Sequence, residues 1–164
     1  MSNKVLQSIY ERRSVRKFLK NKVENEEFLK ILNAGRWAPS GRNNQAWRFI
    51  LVKGRTLLRE LAKLTTYGDI IEKSHACITV FLDEEKVYDR TKDVQSVGAC
   101  IENMLLAAHS MNLGAVWLGE ILKNKKKART LLGAPESFEL MAVLAVGYPE
   151  KRERKSTRYL LDQI

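Results

Sequence analysis

Apolar residues recur at helical spacing along much of the chain. Val5, Leu6, Ile9 and Tyr10 share one face of a first helix that Ser2 is placed to cap, and Phe28, Ile31, Leu32 and Gly35 fall in register over 24–36. Glu24, Glu26 and Glu27 occupy the first turn of that second helix, where carboxylates suit the positive end of the helix dipole. Leu57, Leu58, Leu61 and Leu64 mark a short amphipathic helix over 55–64. The longest regular pattern is 93–111, where Val94, Val97, Ile101, Met104, Leu105, Ala108 and Met111 hold the 3.6-residue period until Asn112 and Gly114 stop it. Four short apolar runs, RFILV (48–52), ACITVFL (76–82), AVWL (115–118) and ELMAVLAVGY (139–148), read as strands, the second of them buried. A further helix is expected over 120–132. Helices first, then strands interleaved with helices, predict an α+β sandwich: one mixed sheet covered by helices.

At 164 residues, with 45% hydrophobic content, one domain over 1–164 has enough apolar material for a core. No run approaches the roughly 20 apolar residues of a membrane span, and MSNKVLQSIYERR has no apolar signal segment, so the expected location is cytoplasmic. Cys77 and Cys100 lie in apolar surroundings without metal-ligand spacing and read as structural thiols.

A formal net charge of +10 points to an anionic partner: a phosphate-bearing cofactor, nucleic acid or acidic lipid. The basic residues concentrate in ERRSVRK (11–17), KNKKKAR (123–129) and KRERKSTR (151–158). The middle cluster, nearly pure lysine, reads as a solvated helix face. Neither a GxGxxG nor a GxxxxGK[ST] motif is present, and the two histidines, His75 and His109, lie near no GxSxG; packing or capping roles suit both.

In an extended stretch, Arg12, Ser14 and Arg16 project to one side, placing two guanidiniums and a hydroxyl on one spot, as a phosphate site requires. A solvated turn is the other reading of RRSVRK. The loop RWAPSGRNNQAWRF (36–49) crowds small hydrogen-bonding residues between two tryptophans; Trp37 and Trp47 fit either core or interface. Asn103, inside an apolar helix, needs a partner if it faces inward.

Four motifs in order, RRSVRKF, APSGRNNQAWRFILV, GACIENMLLAAHSMNLGAVWLGEI and AVLAVGYPEKRERKSTRYLL, together resemble the FMN-dependent nitroreductase family over essentially the whole chain. The resemblance implies a nitroreductase-like sandwich with a mixed, mainly antiparallel sheet, assembled as a homodimer with FMN in the clefts between subunits. Arg12, Arg13, Ser14 and Arg16 match positions that hold the FMN phosphate, the ribityl chain and the N1/O2 edge. Pro39, Ser40 and Asn43 match those the other subunit lays against the flavin, with Gln45 in the same loop. Leu118, Gly119 and Glu120 match the segment whose backbone faces N5 and O4, and Ser156 and Arg158 match a second phosphate clamp. The implied activity is oxidation of NADH or NADPH and reduction of nitroaromatic, quinone or related small acceptors in a ping-pong cycle, with no protein acid or base required. A flavin-binding protein without turnover of its own and a basic nucleic-acid-binding module are the alternatives.

The chain also departs from the family pattern. Ala46 stands where the family's Q-P-W has proline, and Thr66 and Asp69 replace the usual Asn or Lys near the ring. The 83–93 segment is too short for the substrate-covering insertion of larger relatives. Tyr67 and Tyr88 are the aromatic candidates for the acceptor site.

Overall fold

In the computed structural model, residues 3–151 and 156–164 are described; the expected Ser2 cap lies outside them. Asn3 caps α1 (Lys4–Glu11) instead, its side-chain oxygen accepting from the N–H of Val5 at 3.0 Å and of Leu6 at 3.2 Å. The described elements continue as α2 (Asn25–Arg36), β1 (Trp47–Val52), α3 (Arg55–Ala62), α4 (Gly68–Lys73), β2 (Ala76–Asp83), α5 (Arg90–Ser110), β3 (Gly114–Leu118), α6 (Lys125–Leu131) and β4 (Phe138–Gly147).

The strands form one sheet in the order β1-β2-β4-β3, every pair antiparallel. Its parallel contribution is an isolated bridge from Ser14 to Ala115 of β3. Central β2 is buried from end to end, as its unbroken apolar run requires, and its side chains alternate between two cores. Ile78, Val80 and Leu82 face the layer of α2 and α5, whereas Cys77 and Phe81 face α3, α4 and α6. Opposite the Val80/Phe81 step the register jumps from Ala142 to Leu140, so Met141 is the extra residue of a β-bulge and the faces of β4 exchange there.

On the first face α2 and α5 approach closely because Gly35 has no side chain; a Cβ there would overlap Met104. Asn103 settles its own question by donating to the Ala34 carbonyl at 3.3 Å, a tie between the two helices. His75 stacks on Phe28 with ring centroids 6.1 Å apart, a packing role. Cys77 and Cys100 are buried and free, and burial pushes both thiols up to about 12.

Two elements differ from the sequence reading. The segment 120–132 begins as a 3₁₀ turn, Glu120–Asn124, before α6 takes over, and six-residue α4 was not anticipated because it is too short to show a period. The shared apolar face of α1 lies exposed, with Val5 66% and Tyr10 68% accessible. Among the described residues no helix is long and apolar enough to cross a membrane.

Candidate functional site

An extended arm follows α1. Val15 turns inward against Gly114, where a Cβ would overlap it, and its N–H donates to the Ala115 carbonyl at 3.0 Å. Alternation then throws Ser14 and Arg16 outward. Farther along, the N–H of Leu19 donates to the Tyr148 carbonyl at 2.8 Å, and that of Glu150 to the Lys17 carbonyl at 3.1 Å, so the arm is fixed at both ends.

Beside the arm, Arg12, Arg13, Ser14, Arg16, Ser156 and Arg158 line a cavity of about 200 Å³. Residues more than a hundred positions apart in the chain thus meet at one cavity. Each guanidinium is partly braced: Arg12 Nε donates to Glu102 Oε1 at 3.1 Å, and Arg13 Nη1 donates to the carbonyls of Tyr10 at 2.6 Å and Arg12 at 2.7 Å. Arg158 Nη1 donates to Ser156 Oγ at 2.5 Å and to the Thr157 carbonyl at 2.7 Å. Four permanently charged forks and two hydroxyls, with no carboxylate among the described lining residues, form a receptor for a multiply charged oxyanion.

The arm meets β3 at Ala115 and then crosses toward Gly147 and Tyr148, beside the Gly114 end of that strand, whereas Leu118, Gly119 and Glu120 stand at its other end. Leu118 is buried, whereas Gly119 is exposed and a Cβ there would meet nothing within 4 Å, leaving an open backbone surface. The Glu120 side chain turns the other way. Its Oε2 accepts from Thr65 Oγ1 at 2.6 Å and from the Thr66 N–H at 3.0 Å, and Oε1 pairs with Lys123. The Lys123 ammonium and the Thr65 hydroxyl hold this carboxyl down to about 2.

The loop carrying Pro39, Ser40, Asn43 and Gln45 lies elsewhere. It leads into β1, the edge strand opposite β3, with β2 and β4 in between: three strand spacings, or roughly 14 Å of sheet. One copy of the chain does not bring these residues to the arginine cavity. The loop is strained, since Arg42, Asn43 and Gln45 all have left-handed φ values of 53°, 54° and 47°. Asp93, only 1% exposed, holds it: Oδ1 accepts from Asn44 Nδ2 at 2.6 Å, while Oδ2 accepts from the N–H groups of Tyr88 at 3.0 Å and Asp89 at 3.2 Å. Tyr88 packs against Gly41 with the Arg42 guanidinium 4.8 Å from its ring centroid, so it buttresses the loop. Trp47 is buried, whereas Trp37 is 73% exposed.

Sequence reading missed Asp93, Asn44 and Thr65. An aspartate within an otherwise apolar helical period was the only trace of the first, and the latter two carry no local signal. Asp69, unexpected near a flavin, is paired with Lys73 at 2.9 Å on the exposed face of α4.

The sequence profile of the Nitroreductase family matches residues 9–66 and 65–148. A protein of Archaeoglobus fulgidus with the provisional name NADH dehydrogenase/NAD(P)H nitroreductase is 37% identical over 148 residues, covering 88% of this chain and 85% of the relative. The NADPH-flavin oxidoreductase of Vibrio harveyi is 26% identical, over 95% of this chain and 70% of its own. Among solved structures, a nitroreductase-type protein from Desulfovibrio desulfuricans in complex with FMN superposes with a TM-score of 0.93 at 40% identity, covering 100% of this chain and 96% of that one. With a profile match across most of its length and relatives of this identity, the chain belongs to the Nitroreductase family.

Proposed function

We propose that the protein is an NAD(P)H-dependent FMN oxidoreductase, with the cofactor phosphate held in the arginine cavity. The observation that carries this is the meeting of Arg12, Arg13, Ser14 and Arg16 with Ser156 and Arg158 around one cavity that no carboxylate lines among the described residues. Those residues fit FMN: the forks suit its phosphate oxygens, and the flat space at Gly119 admits a ring system close to the main chain. The FMN complex of the Desulfovibrio relative and the flavin oxidoreductase of Vibrio harveyi support the same cofactor.

When bound, FMN supplies the chemistry, accepting a hydride from NADH or NADPH and passing reducing equivalents to a nitroaromatic, quinone or related small acceptor in a ping-pong cycle. The chain's own work is binding and electrostatics. Arg12, Arg13 and Arg158 neutralise phosphate charge, and Ser14 and Ser156 supply hydroxyls on the same wall. Arg16, exposed at the outward position of the arm, holds a positive charge where negative charge gathers on reduction. Leu118, Gly119 and Glu120 offer the ring backbone rather than side chains.

Pro39, Ser40, Asn43 and Gln45 join this site in a homodimer, where the loop at the β1 edge of one copy meets the cavity at the β3 edge of the other. Exposed apolar residues of α1 (Val5, Ile9) and of the C-terminal tail (Tyr159, Leu161) supply surface for such an interface. Nucleic-acid binding is disfavoured, because three of the five basic residues in the 123–129 cluster are engaged within the chain. Lys123 pairs with Glu120, Lys125 Nζ donates to Glu139 Oε1 at 2.5 Å, and Arg129 Nη1 donates to the Glu136 carbonyl at 2.7 Å.

A fluorescence titration of the apoprotein with FMN and with riboflavin tests the reading. Tight FMN binding and a far weaker interaction with riboflavin are expected, since only FMN carries the phosphate. Equal affinities would move the phosphate out of this cavity.

A further inference from the structure

Resting on the oxidoreductase reading above, we propose that the Glu120 carboxylate is a positioning group that fastens the Leu64–Tyr67 loop to the end of β3 and so sets how an acceptor is received. Glu120 enters the site description through its backbone; its side chain serves a second purpose. The carboxylate reaches across more than fifty residues of sequence to take the Thr65 hydroxyl at 2.6 Å and the Thr66 N–H at 3.0 Å. The Thr65 oxygen in turn accepts from the Tyr67 N–H at 3.2 Å. Carboxylate, hydroxyl and Tyr67 main chain therefore form a relay, and the position of Tyr67 is referred to the same residue whose backbone lines the proposed ring site.

Two further features close the clamp. Asn124 Nδ2 donates to the Leu64 carbonyl at 2.8 Å, from the end of the 3₁₀ turn that Glu120 begins. Gly68 presses on the Ala62 carbonyl, where a Cβ would overlap it, so the loop returns tightly into α4. Burial contributes little to holding this loop: Thr66 is exposed and the Tyr67 ring is half exposed, so polar ties do the fixing. The two aromatic candidates are also separated by the structure. Tyr88 is occupied against Gly41 and Arg42, whereas Tyr67 sits on the clamped loop with its ring available. An ionised carboxylate suits this place because it is an acceptor only: one oxygen takes two donors and the other takes Lys123.

Thr65→Val and Thr65→Ser test the clamp without altering Glu120 or its backbone. In the apoprotein, amide hydrogen exchange at Thr66 and Tyr67 is expected to accelerate in Thr65→Val and to return to the wild-type rate in Thr65→Ser. In the FMN-loaded enzyme, Thr65→Val is expected to keep its FMN affinity while kcat/KM for a substituted quinone falls roughly tenfold, as for loss of a hydrogen bond to a charged group, with Thr65→Ser restoring it. Wild-type exchange and acceptor kinetics in Thr65→Val would overturn the proposal, as would an FMN affinity that falls in step with kcat/KM. Wild-type protein that NAD(P)H cannot reduce would instead overturn the oxidoreductase reading, and is distinguished because the exchange experiment needs no flavin.

Discussion

Asp93→Ala removes the anchor of the 39–45 loop from a distance. Asp93 is 1% exposed and receives three donors: the backbone N–H groups of Tyr88 and Asp89 and the side-chain amide of Asn44. Without the carboxylate the two N–H groups are left without their acceptor, at about 1–3 kcal/mol each, whereas the half-buried Asn44 amide keeps the Lys86 carbonyl at 3.1 Å. Release of the left-handed backbone at Arg42, Asn43 and Gln45 returns part of this, at about 1–2 kcal/mol per residue relieved. With about 4 kcal/mol as the midpoint for the two N–H groups and about 1.5 kcal/mol returned by relief of one of these residues, a net loss of about 2–3 kcal/mol in urea unfolding is the expected result. Asp93→Asn costs less, because the new amide can donate to Asn44 Oδ1, a buried oxygen that has no hydrogen-bond partner among the described residues. The released loop should also be cut faster at Arg42 by trypsin, and FMN affinity should fall although Asp93 lines no part of the cavity. Unfolding of Asp93→Ala within about 1 kcal/mol of wild type, with unchanged cleavage at Arg42, would refute the anchoring role.

Arg16→Ala should weaken FMN binding and lower the bound flavin's reduction potential, measured by fluorescence titration and by equilibration with a reference dye; unchanged values would place Arg16 away from the ring. Glu120 is held down to about 2 and Glu139 is also lowered, first by its bond to Arg90, so both contribute stability in full above the unfolded carboxyl range and lose it on acidification, Glu120 as pH falls toward 2. Urea unfolding should therefore weaken steadily on acidification below about pH 5, less steeply in Glu120→Gln. Both thiols are pushed up to about 12 and buried, so a disulfide reagent at neutral pH should find neither in the native protein and both after denaturation.

What the sequence revealed depended on whether the deciding interaction was local. The period of 93–111 located α5 within a few residues, and unbroken apolar runs located β2 and β4, because side-chain spacing alone determines such faces. The arginine cluster was legible for a similar reason: alternation along an extended arm puts Ser14 and Arg16 on one side. Its union with Ser156 and Arg158 came from the family resemblance, not from spacing. Contacts between distant segments left no readable mark. Nothing near Asp93 announces Asn44, 49 residues away, and nothing in EILKN shows that Glu120 will bond Thr65 and begin a 3₁₀ turn. The apolar stripe of α1 was read correctly as a stripe, yet in a single chain it faces outward.

The most direct test of the arginine cavity as a flavin site is a visible absorption spectrum taken after the purified protein has been mixed with FMN and desalted, then repeated under anaerobic conditions with NADH and with NADPH. Retained flavin colour that bleaches with one or both nucleotides, and returns on adding a quinone, is the predicted result. A protein that emerges colourless from desalting would contradict the arginine cavity as a flavin site, and colour that neither nucleotide bleaches would contradict the oxidoreductase assignment.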